Sequence, residues 1–252
     1  MGAMLDAIPA ATAVIFRERA GAAPELLLLE RAKAMTFAGG ALVFPGGRID
    51  PGDRLLAETL GGDPDEDAAR IAAIRETIEE AGLPLGVELA AGALAELRRA
   101  LQAGTPFGAA LHAAGGRLRL DALVPFARWR PSDKLAHKRV FDTRFYLARA
   151  EPDWPAAGVD ATENTRLFWA SARDVLAEAD AGRAHVIFPT RRNLERLALF
   201  GSFAEAAAHA AVYPVRTVTP WAELRDGGEH LCIPDDLVYP VTSEPLANAM
   251  RG

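Results

Sequence analysis

Three observations along the sequence agree with an α/β fold, without by themselves identifying it. Half of the 252 residues are apolar, enough to bury a substantial core. Short apolar runs with the length and content of strands alternate along the chain with segments of helical periodicity. One helix, ending near Ala81, carries its start and stop signals in full. Asp63 can cap it, Pro64 suits its first position, and Asp65, Glu66 and Asp67 favour the positive end of its dipole. Gly82 fits the position just beyond it, and Pro84 bars continuation.

Taken in order, residues 11–17 read as a strand centred on Val14, Ile15 and Phe16, and 26–30 return as a buried strand after a turn of small residues. Gly46 and Gly47 permit backbone conformations closed to other residues, so a carbonyl or amide can approach a metal or phosphate closely. Residues 54–62 contain Leu55, Leu56 and Leu60, which predicts that part of this segment packs. After the capped helix, 87–103 read as a second helix with Leu89, Leu94, Leu97 and Leu101 apolar, and 107–114 as a short third. Residues 123–129 and 139–148 read as a strand pair. Around it lie Arg128, Arg130, Lys134, His137, Lys138, Arg139 and Arg144, the densest basic stretch of an acidic chain. Such a stretch either attracts a phosphorylated substrate or guards a sheet edge. Residues 163–169 read as a loop entering a strand, and 171–181, 189–199 and 203–211 as helices. From Val212 the chain is punctuated by prolines, with strand-like pieces at 215–218 and 231–233. The expected organisation is one domain over 1–252, with a core of about 10–200 and a wrapping extension over 212–252.

The chemistry sits on the capped helix. At about 100° per residue, Ile71, Ile74, Ile78 and Ala81 fall within about 80° of one another. Glu76, Glu79 and Glu80 fall on the opposite side. Three adjacent like charges destabilise a helix unless something neutralises them. A solvated acidic face is one reading; a hard divalent cation with oxygen ligands, such as Mg²⁺, is the other.

Phe44-Pro45-Gly46-Gly47 followed by Arg75-Glu76-Thr77-Ile78-Glu79-Glu80-Ala81-Gly82-Leu83 resembles the signature of the Nudix hydrolases. That signature runs Gly, five residues, Glu, seven residues, then Arg-Glu-U-x-Glu-Glu-x-Gly-U, with U aliphatic. Two departures stand out. Asp53 occupies the position of the first Glu, and 21 residues separate it from Arg75, a 14-residue insertion. An interrupted box of this kind resembles the coenzyme A and acyl-coenzyme A diphosphatases. The stretch from Leu27 through Arg31 to Gly47 partly matches their upstream motif, with Leu29 and Ala32 departing from it.

The resemblance implies an α/β/α sandwich with a mixed sheet, extra helices after the box and a C-terminal extension. It implies a Mg²⁺- or Mn²⁺-dependent diphosphatase with Glu76, Glu79, Glu80 and the Gly47 carbonyl as metal ligands. Arg75 would orient a carboxylate, Asp53 or Glu58 would supply the supporting acid, and Glu79 or Glu163 the catalytic base. Arg31, Lys138 and Arg139 would contact substrate. The substrate it suggests is coenzyme A or an acyl derivative; nucleotide sugars, dinucleotides and a catalytically silent nucleotide-binding module are the alternatives.

A net charge of −6 and a pI near 5.5 argue against a general nucleic-acid binder, which carries a basic footprint. The partner expected is a small nucleotide derivative, with no membrane and with homo-oligomerisation left open. A single cysteine, Cys232, excludes an intramolecular disulfide framework and a Cys-rich zinc site. No apolar run approaches the ~18 residues of a membrane span, and no secretory segment opens the chain, so the expected location is cytoplasmic.

Overall fold

The computed structural model describes residues 7–32, 38–131, 140–158, 164–225 and 227–249. The chain begins with β1 (Ile8–Arg17), β2 (Glu25–Arg31), β3 (Leu42–Val43) and β4 (Gly46–Arg48), followed by helices α1 (Pro51–Glu58) and α2 (Pro64–Ala81). A small layer follows: β5 (Val87–Glu88), α3 (Ala93–Gln102), α4 (Phe107–Ala113) and β6 (Arg117–Leu118). Then come β7 (Val124–Trp129), β8 (Phe141–Arg149) and β9 (Asn164–Ala170). Helices α5 (Ala172–Asp180), α6 (Phe188–Leu197) and α7 (Phe203–Val212) lead to β10 (Thr217–Val218).

Among the described residues the main sheet has eight strands, in the order β10-β7-β8-β1-β2-β3, with β4 also on β1 and β9 also on β2. It is mixed: β1 runs parallel to β8 and antiparallel to β2 and β4. The period-2 alternation of side chains along each strand divides two cores. Ala11, Ala13 and Ile15 of β1 face α2, together with Leu27, Tyr146 and Ala148. Val14 and Phe16 face the layer of α5, α6 and α7, together with Leu26, Leu28, Phe145 and Leu147. Burial on both faces explains why these strands read as near-continuous apolar runs. The result is the α/β/α sandwich that the resemblance implies.

Helix α2 starts and stops where the sequence predicts. The Asp63 carboxylate accepts from the amides of Asp65 and Glu66 at 3.0 and 3.3 Å, and Gly82 closes the helix at φ 65°. Ile71, Ile74, Ile78 and Ala81 are fully buried against the sheet. Truncating one of these isoleucines to alanine removes well-packed volume and costs about 2–5 kcal/mol.

Two expectations need correction, and a third is met in part. The segment 87–103 is not one helix: Val87–Glu88 pairs with β6, and Gly92, at φ 85°, delays the helix to Ala93. Part of the insertion packs as expected, with Ala57 buried in the α2 core and Leu56 against it, while Leu55 is 65% exposed and Leu60 is also exposed. The insertion does hold a helix, because Pro51 begins α1 and the Asp53 carboxylate accepts from the Asp50 amide at 2.9 Å. The proline-rich tail is more structured than its composition suggests. β10 extends the main sheet parallel to β7. Beyond it, β11 (Trp221–Arg225), β12 (Gly228–Cys232), β13 (Ser243–Pro245) and α8 (Leu246–Ala249) form a separate three-stranded sheet with a helical turn. Leu231, Ile233 and Tyr239 of this region join the core under α5, α6 and α7. Cys232 is buried and free. No helix among the described residues is long and apolar enough to cross a membrane.

Candidate active site

Arg75 is the hub of the site. Placed on the flank of α2 and only 7% exposed, it meets the start of α1 and the end of β4. Its Nε and Nη2 donate to the two oxygens of Asp53 at 3.1 and 3.0 Å, a bidentate pair in which Asp53 is 1% exposed. Nη2 also donates to the Arg48 carbonyl at 2.9 Å. Nη1 donates to Glu76 Oε1 at 2.9 Å and Glu79 Oε2 at 3.0 Å. Burial opposes the guanidinium charge, but Asp53, Glu76 and Glu79 together outweigh it and raise the Arg75 pKa above its ordinary value.

This decides which acid fills the first position of the box. Asp53 does so despite its shorter side chain, because α1 brings its backbone close enough for both oxygens to reach Arg75. Glu58 lies exposed at the far end of α1.

Glu80 stands apart from the hub. Its Oε2 accepts from the Gly46 amide at 3.0 Å and its Oε1 from Asn164 Nδ2 at 2.9 Å, and the residue is 5% exposed. Asn164, at the start of β9, joins the candidate site through its bond to Glu80, and the sequence reading passed it over for its neighbour Glu163. Its signal was position alone, in the loop-to-strand segment already singled out. Gly47 lies against Glu76: a Cβ there would stand 2.2 Å from Glu76 Oε1, so a side chain at this position would displace the carboxylate. The acidic side of α2 is therefore not an open, solvated face. The glycine loop, α1 and β9 cover it.

That enclosure perturbs the carboxylates. Desolvation, reinforced by Glu80 and Glu79 and opposed by Arg75, pushes the Glu76 pKa up to about 8. Desolvation likewise raises Glu79, with Arg75 opposing it. Carboxylates so placed resist ionisation unless positive charge is brought to them. Among the described residues, no three acidic, histidine or cysteine side chains already converge on one ion-sized point. The donor chemistry still fits a hard cation: Arg75 occupies one oxygen each of Glu76 and Glu79, and the Gly47 backbone adjoins Glu76.

Arg31, at the end of β2, pairs in register with Asn164 and so lies beside the residue that holds Glu80. Its Nε is buried without a hydrogen-bond partner. Of the basic stretch, Arg128 is committed to Asp142 at 2.7 and 2.6 Å, and Arg144 to the Glu66 carboxylate at 3.4 Å. Lys138, Arg139 and Glu163 lie outside the described residues.

No family model matches the chain. A crystal structure of a Nudix hydrolase from Alicyclobacillus acidocaldarius superimposes with a TM-score of 0.70 at 30% identity, over 82% of this chain and 97% of that one. The chain belongs to the Nudix hydrolase family. Among curated Nudix proteins, it is 27% identical to the acyl-coenzyme A diphosphatase NUDT19 of Gallus gallus, over 86% of this chain and 73% of that protein. It is 26% identical to nudix hydrolase 7 of Caenorhabditis elegans, over 85% of this chain and 69% of that protein. The chain is thus a Nudix hydrolase, an enzyme acting on phosphoanhydride bonds.

Proposed function

We propose that this Nudix hydrolase cleaves the diphosphate of coenzyme A or an acyl-coenzyme A, with Mg²⁺ or Mn²⁺ held by Glu76, Glu79, Glu80 and the Gly47 carbonyl. The observation that carries the reading is one buried guanidinium shared by three carboxylates beneath a glycine loop. The substrate preference rests on the interrupted box, the partial upstream match around Arg31 and the likeness to a curated acyl-coenzyme A diphosphatase. Bound there, the cation supplies polarisation of a phosphoryl oxygen and a lower pKa for a water.

The chain's own residues do the positioning. Arg75 donates to one oxygen of Glu76 and one of Glu79, which fixes both carboxylates and leaves the second oxygen of each available. The Gly46 amide and Asn164 hold Glu80 from opposite oxygens. Asp53 keeps Arg75 charged and in place. Glu163 takes the proton of the attacking water as general base, a role worth about 10²–10⁴-fold, with Glu79 the alternative. Arg31, Lys138 and Arg139 supply cationic contacts to substrate phosphates.

The test is a substrate panel: coenzyme A, an acyl-coenzyme A, a dinucleotide, a nucleotide sugar and a nucleoside triphosphate, each with Mg²⁺ or Mn²⁺. The expected outcome is cation-dependent release of 3′,5′-phosphorylated adenosine and a phosphopantetheine product, with the highest kcat/KM on the coenzyme A compounds. Equal or greater efficiency on another class would overturn the substrate. Hydrolysis that persists undiminished in chelator would overturn the cation.

A further inference from the structure

Three arginines are buried among the described residues: Arg75, Arg192 and Arg196. A buried guanidinium stays charged and needs compensation, because desolvating an unpaired ion costs several kcal/mol. Arg75 has Asp53, Glu76 and Glu79. Arg192, on α6, has Glu195 at 2.7 Å and Glu244 at 3.0 Å. Arg196, one turn further along α6 and 3% exposed, has no carboxylate among the described residues. Its Nη1 donates to the Phe126 carbonyl at 3.2 Å and its Nη2 lies 3.3 Å from His209 Nδ1; its Nε is buried with no acceptor. The guanidinium carbon sits 4.0 Å from the centroid of the Phe126 ring and 5.5 Å from that of Tyr239. These contacts fix the group without neutralising it.

Arg196 also lines a pocket. A cavity of about 150 Å³ opens beside it, between β7, the connection from α7 to β10 and the loop that carries Val238 and Tyr239. Phe126, Val218, Leu237 and Val238 supply the apolar part of a mixed polar and apolar lining. Phe126 and Val218 belong to the core under α6 and α7 and Leu237 packs against it, so the cavity lies across the sheet from the acidic side of α2. At its edge Arg216 and Asp236 pair with each other at 2.7 Å, so the rim adds no net charge. Tyr239 is locked by its hydroxyl, which donates to Asn193 Oδ1 at 3.0 Å and accepts from Trp129 Nε1 at 3.1 Å. Val238 holds a left-handed backbone at φ 57°, costly for a β-branched residue and of a kind that clusters at ligand clamps.

The size and charge of this pocket specify a ligand class. A cavity of about 150 Å³ has room for a benzene-sized body, and Phe126, Val218 and Val238 offer it an apolar side. One uncompensated guanidinium beside a neutral rim calls for one negative charge, and the planar fork matches a carboxylate. A phosphate dianion would carry excess charge beside Asp236 and leave the apolar side of the cavity unfilled. We propose that this pocket is a second ligand site, separate from the phosphoanhydride site, that takes a small organic monocarboxylate with its carboxylate on Arg196 and its apolar body against Phe126, Val218 and Val238.

The probe is benzoate, titrated into the full chain by calorimetry, with benzamide as the neutral isostere and inorganic phosphate as the bare anion. Benzoate is expected to bind 1:1 with a Kd of about 1 mM or tighter, within the per-atom limits of so small a ligand. Benzamide should bind at least about tenfold more weakly, because it loses the charge-assisted pair. Arg196→Met should abolish the preference for benzoate. Should that variant fail to fold, Val215→Trp carries the test: Val215 is a partly exposed residue at the pocket, and a bulky ring there should block binding while circular dichroism stays unchanged. Failure of benzoate to bind at ~10 mM would overturn the proposal. So would equal binding of benzamide or phosphate, or undiminished benzoate binding in folded Val215→Trp.

Discussion

The two faces of the sheet each bury arginine, and they compensate it in opposite ways. On the α2 side, one guanidinium sits among Asp53, Glu76 and Glu79, with Glu80 close behind; carboxylate is in excess. On the α6 side, Arg192 is matched by Glu195 and Glu244, but Arg196 is left with neutral acceptors and two aromatic faces. Each imbalance names the sign of what completes it. A buried surplus of carboxylate fits a cation, and a buried guanidinium without an acid fits an anion. On the two proposals above, the difference also separates structural from functional arginine: Arg192 pairs with Glu195 and Glu244 within the fold, whereas Arg75 and Arg196 would border ligand sites.

The largest expected effect comes from removing the hub. Arg75→Ala leaves Asp53 buried without its partner, and breaking such a pair costs about 3–5 kcal/mol. Urea unfolding should show that loss, and Mn²⁺ titration should show affinity reduced about 10- to 100-fold. Unchanged metal binding would make Arg75 a purely structural arginine, like Arg192.

Next in size are Glu79→Gln and Glu80→Gln. Each keeps shape and removes a charge, so turnover should fall by about 10³-fold or more with saturating Mg²⁺. The thermal midpoint should stay near that of the parent for Glu79→Gln and fall for Glu80→Gln, whose NH2 would meet the Gly46 amide or Asn164 Nδ2, both donors. Full activity in both would end the assignment of this face to catalysis. Gly47→Ala probes the same enclosure by sterics. Its Cβ would stand 2.2 Å from Glu76 Oε1, and the flexible end of Glu76 must give way rather than the backbone. Activity should drop about 10- to 100-fold, with little change in the denaturation midpoint.

Asn164→Ala should be milder. It removes the donor to one Glu80 oxygen, and an unsatisfied buried acceptor costs about 1–3 kcal/mol. Chemical denaturation measures that cost, and kcat should fall with it because Glu80 is no longer held from both sides. The smallest effect belongs to Glu58→Ala. Lying exposed at the end of α1, it should leave kcat/KM unchanged. A clear loss would mean that Asp53 shares the supporting-acid role.

Much of the catalytic face is legible without coordinates because it is local. Helix α2 begins at an Asp63 cap and ends at a left-handed Gly82, and its periodicity puts Ile71, Ile74 and Ile78 on one side and the three glutamates on the other. The strands of the core are legible for a similar reason, since burial on both faces leaves long apolar runs. The pattern fails where a single residue overrides it: Gly92 delays α3 despite well-spaced leucines.

What the sequence by itself determined, then, is the set of charges α2 carries and the side on which it carries them. Only the tertiary structure decided how those charges are answered. Gly46 reaches Glu80 across 34 residues, Asp53 reaches Arg75 across 22 and Asn164 reaches Glu80 across 84. The choice between Asp53 and Glu58 depended on where α1 docks, and the enclosure of the glutamates on the loop and strand that close over them. Arg196 is the extreme case. In the sequence it is one more cation on an amphipathic helix; its lack of a carboxylate exists only once β7, α7 and the loop before β13 have packed around it. Helical periodicity is set by bonds between near neighbours, but burial and charge compensation are sums over everything the fold brings within a few ångströms.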